Sequence, residues 1–332
     1  MISRALDWQA TAPVDAGCLA PAMDLVVQVV VTGLAAGGVY GLVAIGHALV
    51  FRLTGTVYLA LGDLIGLGVF TTLLVAAGTG PITQTNVSSL RYLLALGVGV
   101  LVCVVAGAGG YLLVVQPFLE RGSTLGWVGA TLALAFAIHA ALESVFPRSA
   151  YVFPDPIPFR RVGEGGFVTV GGATFQVRAL YVAAVAFGLA ALVAWAINRT
   201  RTGRGLQAIA ADQEGALVVG VPLTRLVPLA FGLAGAVAAL AAITAAPSSP
   251  VSADTGTLLG VKGLAAALAV RFGPPLYAFA AGAALGLLEA TIANVHVGGF
   301  ELGPSYSELL PLALVLLLLV VWPPPEALEE VE

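Results

Sequence analysis

Charged side chains are scarce in this sequence. Asp, Glu, Lys and Arg make up 10% of its 332 residues, whereas a soluble domain carries about 25%. So few charged side chains cannot cover the water-exposed surface of a soluble protein of this length, which excludes an ordinary soluble domain. Lysine is almost missing, because Lys262 is the one lysine among 14 basic residues. The chain therefore has no polybasic patch, and its net charge of −4 does not favour nucleic acid binding.

Cysteine is nearly absent as well. Cys18 and Cys103 are the two in the chain, which is too few for a disulfide framework. Cys103 stands in an uncharged apolar run and is interpreted as a small residue facing membrane or core. Arg4 and Asp7 interrupt the segment before Cys18, so that segment lacks the apolar stretch of a lipoprotein or secretory signal. We expect neither lipidation nor a cleaved signal peptide.

Signatures of catalysis are missing too. The sequence contains no Walker-type phosphate loop, no G-x-S-x-G elbow and no H-E-x-x-H pair. Its histidines, His47, His139 and His296, are far apart, and no Cys/His spacing suits zinc. We interpret these histidines as helix-packing or interfacial residues. We expect no catalytic residue, no metal site and no cofactor in this chain.

Apolar sequence is what the chain has in abundance. Apolar residues make up 59% of it, and the mean hydropathy is +1.00. A membrane-spanning helix needs roughly 20 mostly apolar residues. Eight stretches are interpreted as such spans, and a ninth, 258–270, is shorter. The sequence therefore predicts an all-α, polytopic transmembrane bundle of about 8–9 membrane segments. The eight stretches are 25–50, 58–77, 93–116, 125–146, 179–197, 226–246, 276–293 and 309–322.

The short stretch 258–270 has several interpretations. It fits a tilted span, a broken helix or a re-entrant segment, and equally a short buried helix. Non-helical backbone at membrane depth is tolerated only where protein or a water-filled cavity surrounds it. An interrupted element would therefore indicate a translocation path.

Two long polar loops flank the predicted helix 179–197. In loop 147–178, two β-prone runs surround a glycine-rich turn, which predicts a small β-hairpin. Loop 198–225 is polar with a helical pattern. Each loop carries four arginines, so the positive-inside rule does not orient the chain. The two loops must lie on opposite sides of the membrane, because a single helix separates them.

Among the ionisable residues within the apolar stretches, Asp63, Lys262 and Glu289 are the candidates for a specific role. A charge at a helix centre costs roughly 2.5–3.5 kcal/mol on insertion scales, so such groups usually face a partner or a cavity. We interpret Lys262 and Glu289 first as a buried pair that joins two helices. Lining of a substrate path and an interfacial position are the alternatives. Glu143, near a helix end, is interpreted as interfacial.

One segment of loop 198–225 resembles a known coupling motif. Glu214, Gly215 and Ala216, followed after three residues by Gly220, match the E-A-A-x-x-x-G pattern with Gly in place of the middle Ala. Permeases of ATP-binding-cassette importers use this pattern as a cytoplasmic helix that docks on an ATPase. Residues 217–219 are apolar although the segment should face water, which indicates a partner. The alternative is an amphipathic connector that lies on the membrane.

Three ordered blocks extend this resemblance to nearly the whole chain, residues 25–322. Block 33–63 contains GLAAGGVYGLVAIG, RLTG and LALGD, and block 199–221 contains RTRTGRGLQAIA. Block 260–290 contains GVKGLAAA and LGLLEA. Together they resemble the LivH-type permeases of branched-chain amino acid ABC importers, the hydrophobic amino acid uptake family. The sequence departs from the family pattern at Asp63, where Glu is usual, and at Val270-Arg271, where Gly-Gly is usual.

The resemblance implies a fold, partners and a location. Residues 25–322 would form a permease domain of a prokaryotic plasma membrane, after an N-terminal extension 1–24 and before a tail 323–332. Loop 198–225 would be the cytoplasmic coupling loop, and loop 147–178, with its hairpin, would be extracytoplasmic. The partners would be a second, LivM-like permease, two ATPase subunits that hydrolyse ATP, and an extracytoplasmic binding protein. The cargo would be branched-chain or other amino acids, or related small amides.

The resemblance also implies roles for particular residues. The residues expected to couple to the ATPase are Arg201, Gly203, Arg204, Glu214, Ala216, Leu217 and Gly220. The residues expected along the substrate path are Tyr40, Asp63, Lys262 and Glu289. Two other functions remain open from the residues alone. In an ion-coupled secondary transporter, Asp63, Lys262 and Glu289 would relay the ion, and a non-transporting scaffold would use none of them.

Overall fold

The computed structural model describes residues 20–78, 87–120, 126–147, 150–154, 167–170, 173–294, 296–297, 300–301 and 313. The last predicted span, 309–322, lies outside the described residues except for residue 313, and the tail 323–332 lies wholly outside them. Residues 1–19 of the predicted N-terminal extension are also outside, and the first helix begins at Ala20.

Helices dominate the described chain, as the composition predicts. They are α1 Ala20–Thr54, α2 Leu61–Ala77, α3 Ser89–Gly110, α4 Gln116–Glu120, α5 Gly126–Val145, α6 Val177–Arg199, α7 Arg201–Ala211, α8 Gln213–Val218, α9 Leu223–Ala245, α10 Asp254–Ala269 and α11 Pro275–Asn294. A π-helical turn, Tyr111–Val115, joins α3 to α4, and a 3-10 turn, Ala246–Ser248, extends α9.

Six helices of the described part are long and apolar enough to cross a membrane. They are α1, α3 with its continuation into α4, α5, α6, α9 with its 3-10 turn, and α11. This confirms a polytopic helical membrane protein but not the predicted count of 8–9 segments. Two predicted segments form shorter helices than these six: α2 begins at Leu61 rather than at residue 58 and has 17 residues, and the stretch predicted as short, 258–270, lies in α10, which has 16 residues.

Four short strands accompany the helices. β1, Phe167–Val170, pairs antiparallel with β2, Ala173–Gln176, and these are the two runs that the sequence marks as β-prone. β2 leads directly into α6, so the strand pair lies at the start of that helix. β3, His296–Val297, pairs with β4, Phe300–Glu301, just after α11. Tyr151 forms a separate bridge to Val251.

α1 is the central helix, and glycines allow its closest contact. It runs antiparallel to α11, since Gly33 faces Leu287 while Gly41 faces Phe279. A Cβ atom on Gly37 would lie 2.7 Å from the carbonyl oxygen of Ala283, so no larger residue fits there. On the other side, a Cβ on Gly282 would collide with the backbone of Gly41. Small residues permit this backbone approach inside a bilayer.

A second glycine contact joins the two shorter helices. A Cβ atom on Gly256 of α10 would lie 2.6 Å from the carbonyl oxygen of Gly62 on α2. Gly260, one turn later on α10, would collide with the Cα of the same Gly62. The backbones of α2 and α10 are therefore in direct contact, and this contact fixes where the remaining side chains of α10 lie.

The turn after α10 carries backbone strain. Arg271 and Phe272 have φ angles of +52° and +50°. These values lie in the left-handed region, which residues other than Gly, Asn and Asp rarely adopt. The amide of Phe272 donates to the carbonyl of Ala267 at 2.8 Å, and that of Arg271 to the carbonyl of Leu268 at 2.8 Å. This is a Schellman helix end, whose left-handed position is usually Gly. Phe272 is held there because its ring stacks on Phe51, with 4.0 Å between centroids.

Replacing Arg271 with Gly should therefore stabilise the protein. Gly adopts the left-handed conformation without the steric cost, which is about 1 kcal/mol for other residues. We expect a higher melting temperature for the purified R271G variant in detergent. The matched control is V270G, because Val270 has a φ of −104° and gains no relief. Equal melting temperatures for R271G and wild type would contradict the assigned strain.

Candidate functional site

A cavity of about 300 Å³ opens beside the central helix. Its walls come from α1, the start of α6, the end of α9 and α10, and most of the lining side chains are Ala, Val and Leu. Polar groups are few: the hydroxyls of Thr32, Tyr40, Ser248 and Ser249, and the amide of Gln176. This larger cavity can hold a small molecule with an apolar body and one or two polar groups.

A smaller cavity of about 100 Å³ adjoins it. α2, the end of α9 and the start of α10 line it, with Val69 and Phe70 on one side and Ser252 and Thr255 on the other. Ala245, Ser249 and Leu259 line both cavities. The two spaces are therefore neighbours with a shared wall.

Tyr40 connects the larger cavity to a buried ion pair. The Lys262 ammonium donates to Glu289 Oε1 at 2.8 Å and to the Tyr40 hydroxyl oxygen at 3.2 Å. Lys262 and Glu289 are mostly buried, with 10% and 17% of their side chains exposed. The pairing predicted from the sequence is confirmed, and it joins α10 to α11. Of the predicted path residues, Tyr40 lines the larger cavity, while Lys262 and Glu289 lie behind it.

Asp63 lies in a different polar cluster. Its Oδ1 is 3.2 Å from His139 Nδ1 and accepts a hydrogen bond from Thr257 at 2.8 Å. The other ring nitrogen of His139, Nε2, is 3.7 Å from Glu143 Oε1 and 3.6 Å from Asp254 Oδ1. The cluster ties α2, α5 and α10 together. Asp63 borders neither of the two cavities described above.

Sequence reasoning missed this cluster because it assigned no partner to Asp63 and interpreted the histidines only as helix-packing or interfacial residues. His139 and Asp63 are 76 positions apart, and Glu143 was interpreted as interfacial. A usable signal existed, since a polar group inside an apolar stretch requires a partner. Asp63 and His139 were among the groups without an assigned partner.

The predicted coupling residues lie on α7 and α8, except Gly220, which lies in the turn after α8. Thr200 caps α7, because its hydroxyl accepts from the amide of Gly203 at 2.9 Å. A Cβ on Gly203 would collide with the carbonyls of Ala196 and Ile197, so the sharp turn from α6 into α7 requires Gly. Arg201 and Arg204 are exposed on the same helix. The apolar face of α7 is buried with residues of α1, α8 and α9: the cluster contains Leu53, Leu206, Ile209, Ala216 and Ala230.

α8 ends in an exposed apolar tip. Ala216 is buried against the core and Glu214 is exposed. Leu217, Val218 and Val219, called the coupling surface below, are 57%, 88% and 83% exposed. Gly220 has a φ of +83°, and the amide of Val221 donates back to the carbonyl of Ala216 at 2.9 Å. The structure thus folds the predicted segment into a short helix that presents three apolar side chains outward.

Known proteins resemble this chain over most of its length. A family model described as the permease component of branched-chain amino acid transport systems matches residues 29–319. The high-affinity branched-chain amino acid permease protein BraD of Pseudomonas aeruginosa is 26% identical over 302 residues, which cover 89% of this chain and 94% of BraD. The permease protein LivH of Escherichia coli is 24% identical over 305 residues, covering 89% of this chain and 93% of LivH. LivH of Salmonella typhimurium is 23% identical with the same coverage. No solved structure gives a significant match.

These similarities agree with the three sequence blocks, which lie within the matched region. They support a permease over an ion-coupled secondary transporter. Because the family model matches residues 29–319, nearly nine-tenths of the sequence, the chain belongs to the family of permease components of branched-chain amino acid transport systems.

Proposed function

We propose that this chain forms the translocation path of an ATP-binding-cassette importer for branched-chain or other small amino acids, or related amides. The larger cavity carries the proposal. Its volume of about 300 Å³ is at the small end of the range for ligand pockets, roughly 300–1,000 Å³. Its Ala, Val and Leu wall suits an aliphatic side chain, and its hydroxyls suit the polar end of an amino acid. BraD and LivH are named for branched-chain amino acid transport.

As a member of this family, the chain is a multi-pass protein of the cytoplasmic membrane and a transport component rather than an enzyme. We propose that α2 and α10 are embedded in the membrane together with the six longer helices. α2 is buried along most of its length and packs on α10 and α3, and α10 contacts α2 through Gly256 and Gly260 and α11 through Lys262. The non-helical backbone that such short helices leave at membrane depth is tolerated where protein surrounds it.

Arginine distribution supports one orientation. α6, about 34 Å long at 1.5 Å per residue, separates the β1–β2 hairpin from α7 and α8. Six arginines of the described chain lie at the α7–α8 end of α6, and two lie at the hairpin end. Loop 147–178 contains three further arginines in its sequence, so the count at the α7–α8 end is still the higher one, six against five. The positive-inside rule therefore favours α7 and α8 in the cytoplasm and the hairpin outside. The six are Arg52, Arg199, Arg201, Arg204, Arg225 and Arg271, and the two are Arg91 and Arg178.

Permeases of this family work with ATPase and substrate-binding partners. We propose that the coupling surface, with Glu214 and the exposed Arg201 and Arg204 around it, docks on one of two ATPase subunits. Exposed apolar side chains on a water-facing helix suit a partner cleft, and Gly203 and Gly220 shape the turns at either end. A second, LivM-like permease would complete the path, and ATP would bind to the ATPase subunits. Residues 25–322 would form the permease domain, between extension 1–24 and tail 323–332.

Transport by the reconstituted complex tests this function. Proteoliposomes that contain the chain, its partner permease, both ATPases and the binding protein should accumulate radiolabelled leucine when Mg-ATP is inside. Omitting the ATPases should reduce uptake to background, because this chain has no phosphate-binding loop of its own. Uptake that persists without ATPases and follows a proton or sodium gradient would support the ion-coupled alternative instead.

A further inference from the structure

We propose that Leu259 is the partition between the two cavities and thereby sets the size of cargo that the path accepts. This inference rests on the proposed function. Three residues line both cavities: Ala245, Ser249 and Leu259. Leu259 has the one bulky side chain among them, so its isobutyl group provides most of the shared wall.

The surroundings of Leu259 support this role. It is half-buried and packs against three separate hydrophobic clusters. One contains Val69 and Phe70 beside the smaller cavity, the second contains Val39 and Val182 beside the larger one, and the third lies between α1, α10 and α11. Leu259 is thus placed where the walls of both cavities meet.

The backbone that carries Leu259 is held firmly. Gly256 and Gly260, at i−3 and i+1, contact α2 directly, and Lys262 further along α10 is bound to Glu289 of α11. Leu259 therefore cannot retreat by a shift of α10 without disturbing both contacts. Its side-chain size, rather than its backbone position, decides whether the cavities are separate. Replacing it with Ala should join them.

Such a partition has a measurable effect on selectivity. In a hydrophobic pocket, one methylene group changes discrimination by about 1–3 kcal/mol, which is tenfold or more. With Leu259 present, a branched aliphatic side chain fits the larger cavity. With Ala at this position, an aromatic side chain gains the space of the smaller cavity.

Cysteine labelling tests the partition without requiring transport. In the assembled transporter in detergent, with Cys18 replaced by Ser and Cys103 by Ala, a single cysteine is placed at Val69 in the smaller cavity or at Val39 in the larger one. A bulky aromatic thiosulfonate reagent should label the V69C variant several-fold faster after L259A is added. Labelling of V39C should stay within twofold, about the scatter of such rates.

The neighbouring residue provides the matched control. Leu258 is 53% exposed and lines neither cavity, so L258A should leave the labelling of V69C unchanged. L259F should slow the labelling of V69C, because a larger side chain closes the partition further. If L259A does not fold, this slower labelling by L259F is the test of the partition. Equal labelling rates in the wild type, L259A and L259F would overturn the partition, whatever the protein transports.

Uptake then links the partition to cargo. With one preparation of binding protein for all variants, L259A should raise the ratio of phenylalanine to leucine uptake about tenfold, and L258A should not. An unchanged ratio alongside normal leucine uptake would refute the role in selectivity and leave the proposed function intact. If labelling changes as expected but no variant, wild type included, imports leucine, the proposed cargo is wrong while the partition stands.

Discussion

Replacing both Val218 and Val219 with Asp should abolish ATP-driven uptake while leaving the protein folded in the membrane. The two side chains are 88% and 83% exposed at the tip of α8, so their replacement removes no core packing. In the docked complex, however, they would be buried in the ATPase. Burying a carboxylate without a partner costs several kcal/mol, and each 1.4 kcal/mol is a factor of ten in affinity. Two such charges should weaken ATPase binding by at least about a hundredfold.

The measurement is copurification of the ATPase with the tagged permease, together with leucine uptake. The matched control is the V218T/V219T variant, which retains the side-chain shape and adds no charge. It should keep a substantial fraction of uptake, and all variants should melt at the wild-type temperature. Normal uptake and copurification for V218D/V219D would show that the coupling surface does not contact the ATPase.

Lys262 and Glu289 provide the second large effect. Changing Lys262 to Met alone, or Glu289 to Gln alone, should destabilise the protein by about 3–5 kcal/mol. Each single change leaves the charge of the other residue buried without a partner. The K262M/E289Q double variant should be markedly more stable than K262M, since neither residue then carries a charge. The reason is geometric: the two groups are 2.8 Å apart and mostly buried. Melting of the purified variants in detergent measures the difference.

Tyr40 supplies the control for this cycle. Its hydroxyl accepts the second hydrogen bond from Lys262, at 3.2 Å. Y40F removes this neutral acceptor from a charged donor and should cost about 1.5–3 kcal/mol, less than the loss of either ion-pair partner. If the losses from K262M and E289Q instead add in the double variant, the ion pair does not stabilise the helices. Uptake by the stable double variant then separates structure from transport. Wild-type uptake would mean that the charges join helices and do not relay an ion.

The parts of the molecule that the sequence predicts are those determined by local physics. Apolar runs of membrane length identify most helices. The short helix α8 and the turn at Gly220 are predictable too, because the pattern from Glu214 to Gly220 spans only a few consecutive residues. The pairing of Lys262 with Glu289 is also predictable, because each lies in one of two successive apolar stretches and requires an opposite charge.

Features that depend on distant residues are beyond such reasoning. His139 meets Asp63 across 76 positions, and nothing local marks them as partners. The two cavities arise where α1, α2, α6, α9 and α10 fail to fill the space between them, which hydropathy does not reveal. The length of a helix is also difficult to predict, because hydropathy measures how apolar a run is but not where its helix begins. α2 therefore appeared longer than its 17 residues.

The glycine contact between α1 and α11 has a consequence for biosynthesis. α1 finds its closest neighbour only in residues 275–294, which leave the ribosome long after α1 itself. Until then, the small-residue side of α1 at Gly33, Gly37 and Gly41 faces lipid or the insertion machinery. Truncated products that end before α11 would keep this surface open. Assembly of the bundle is therefore completed from the C-terminal part of the chain.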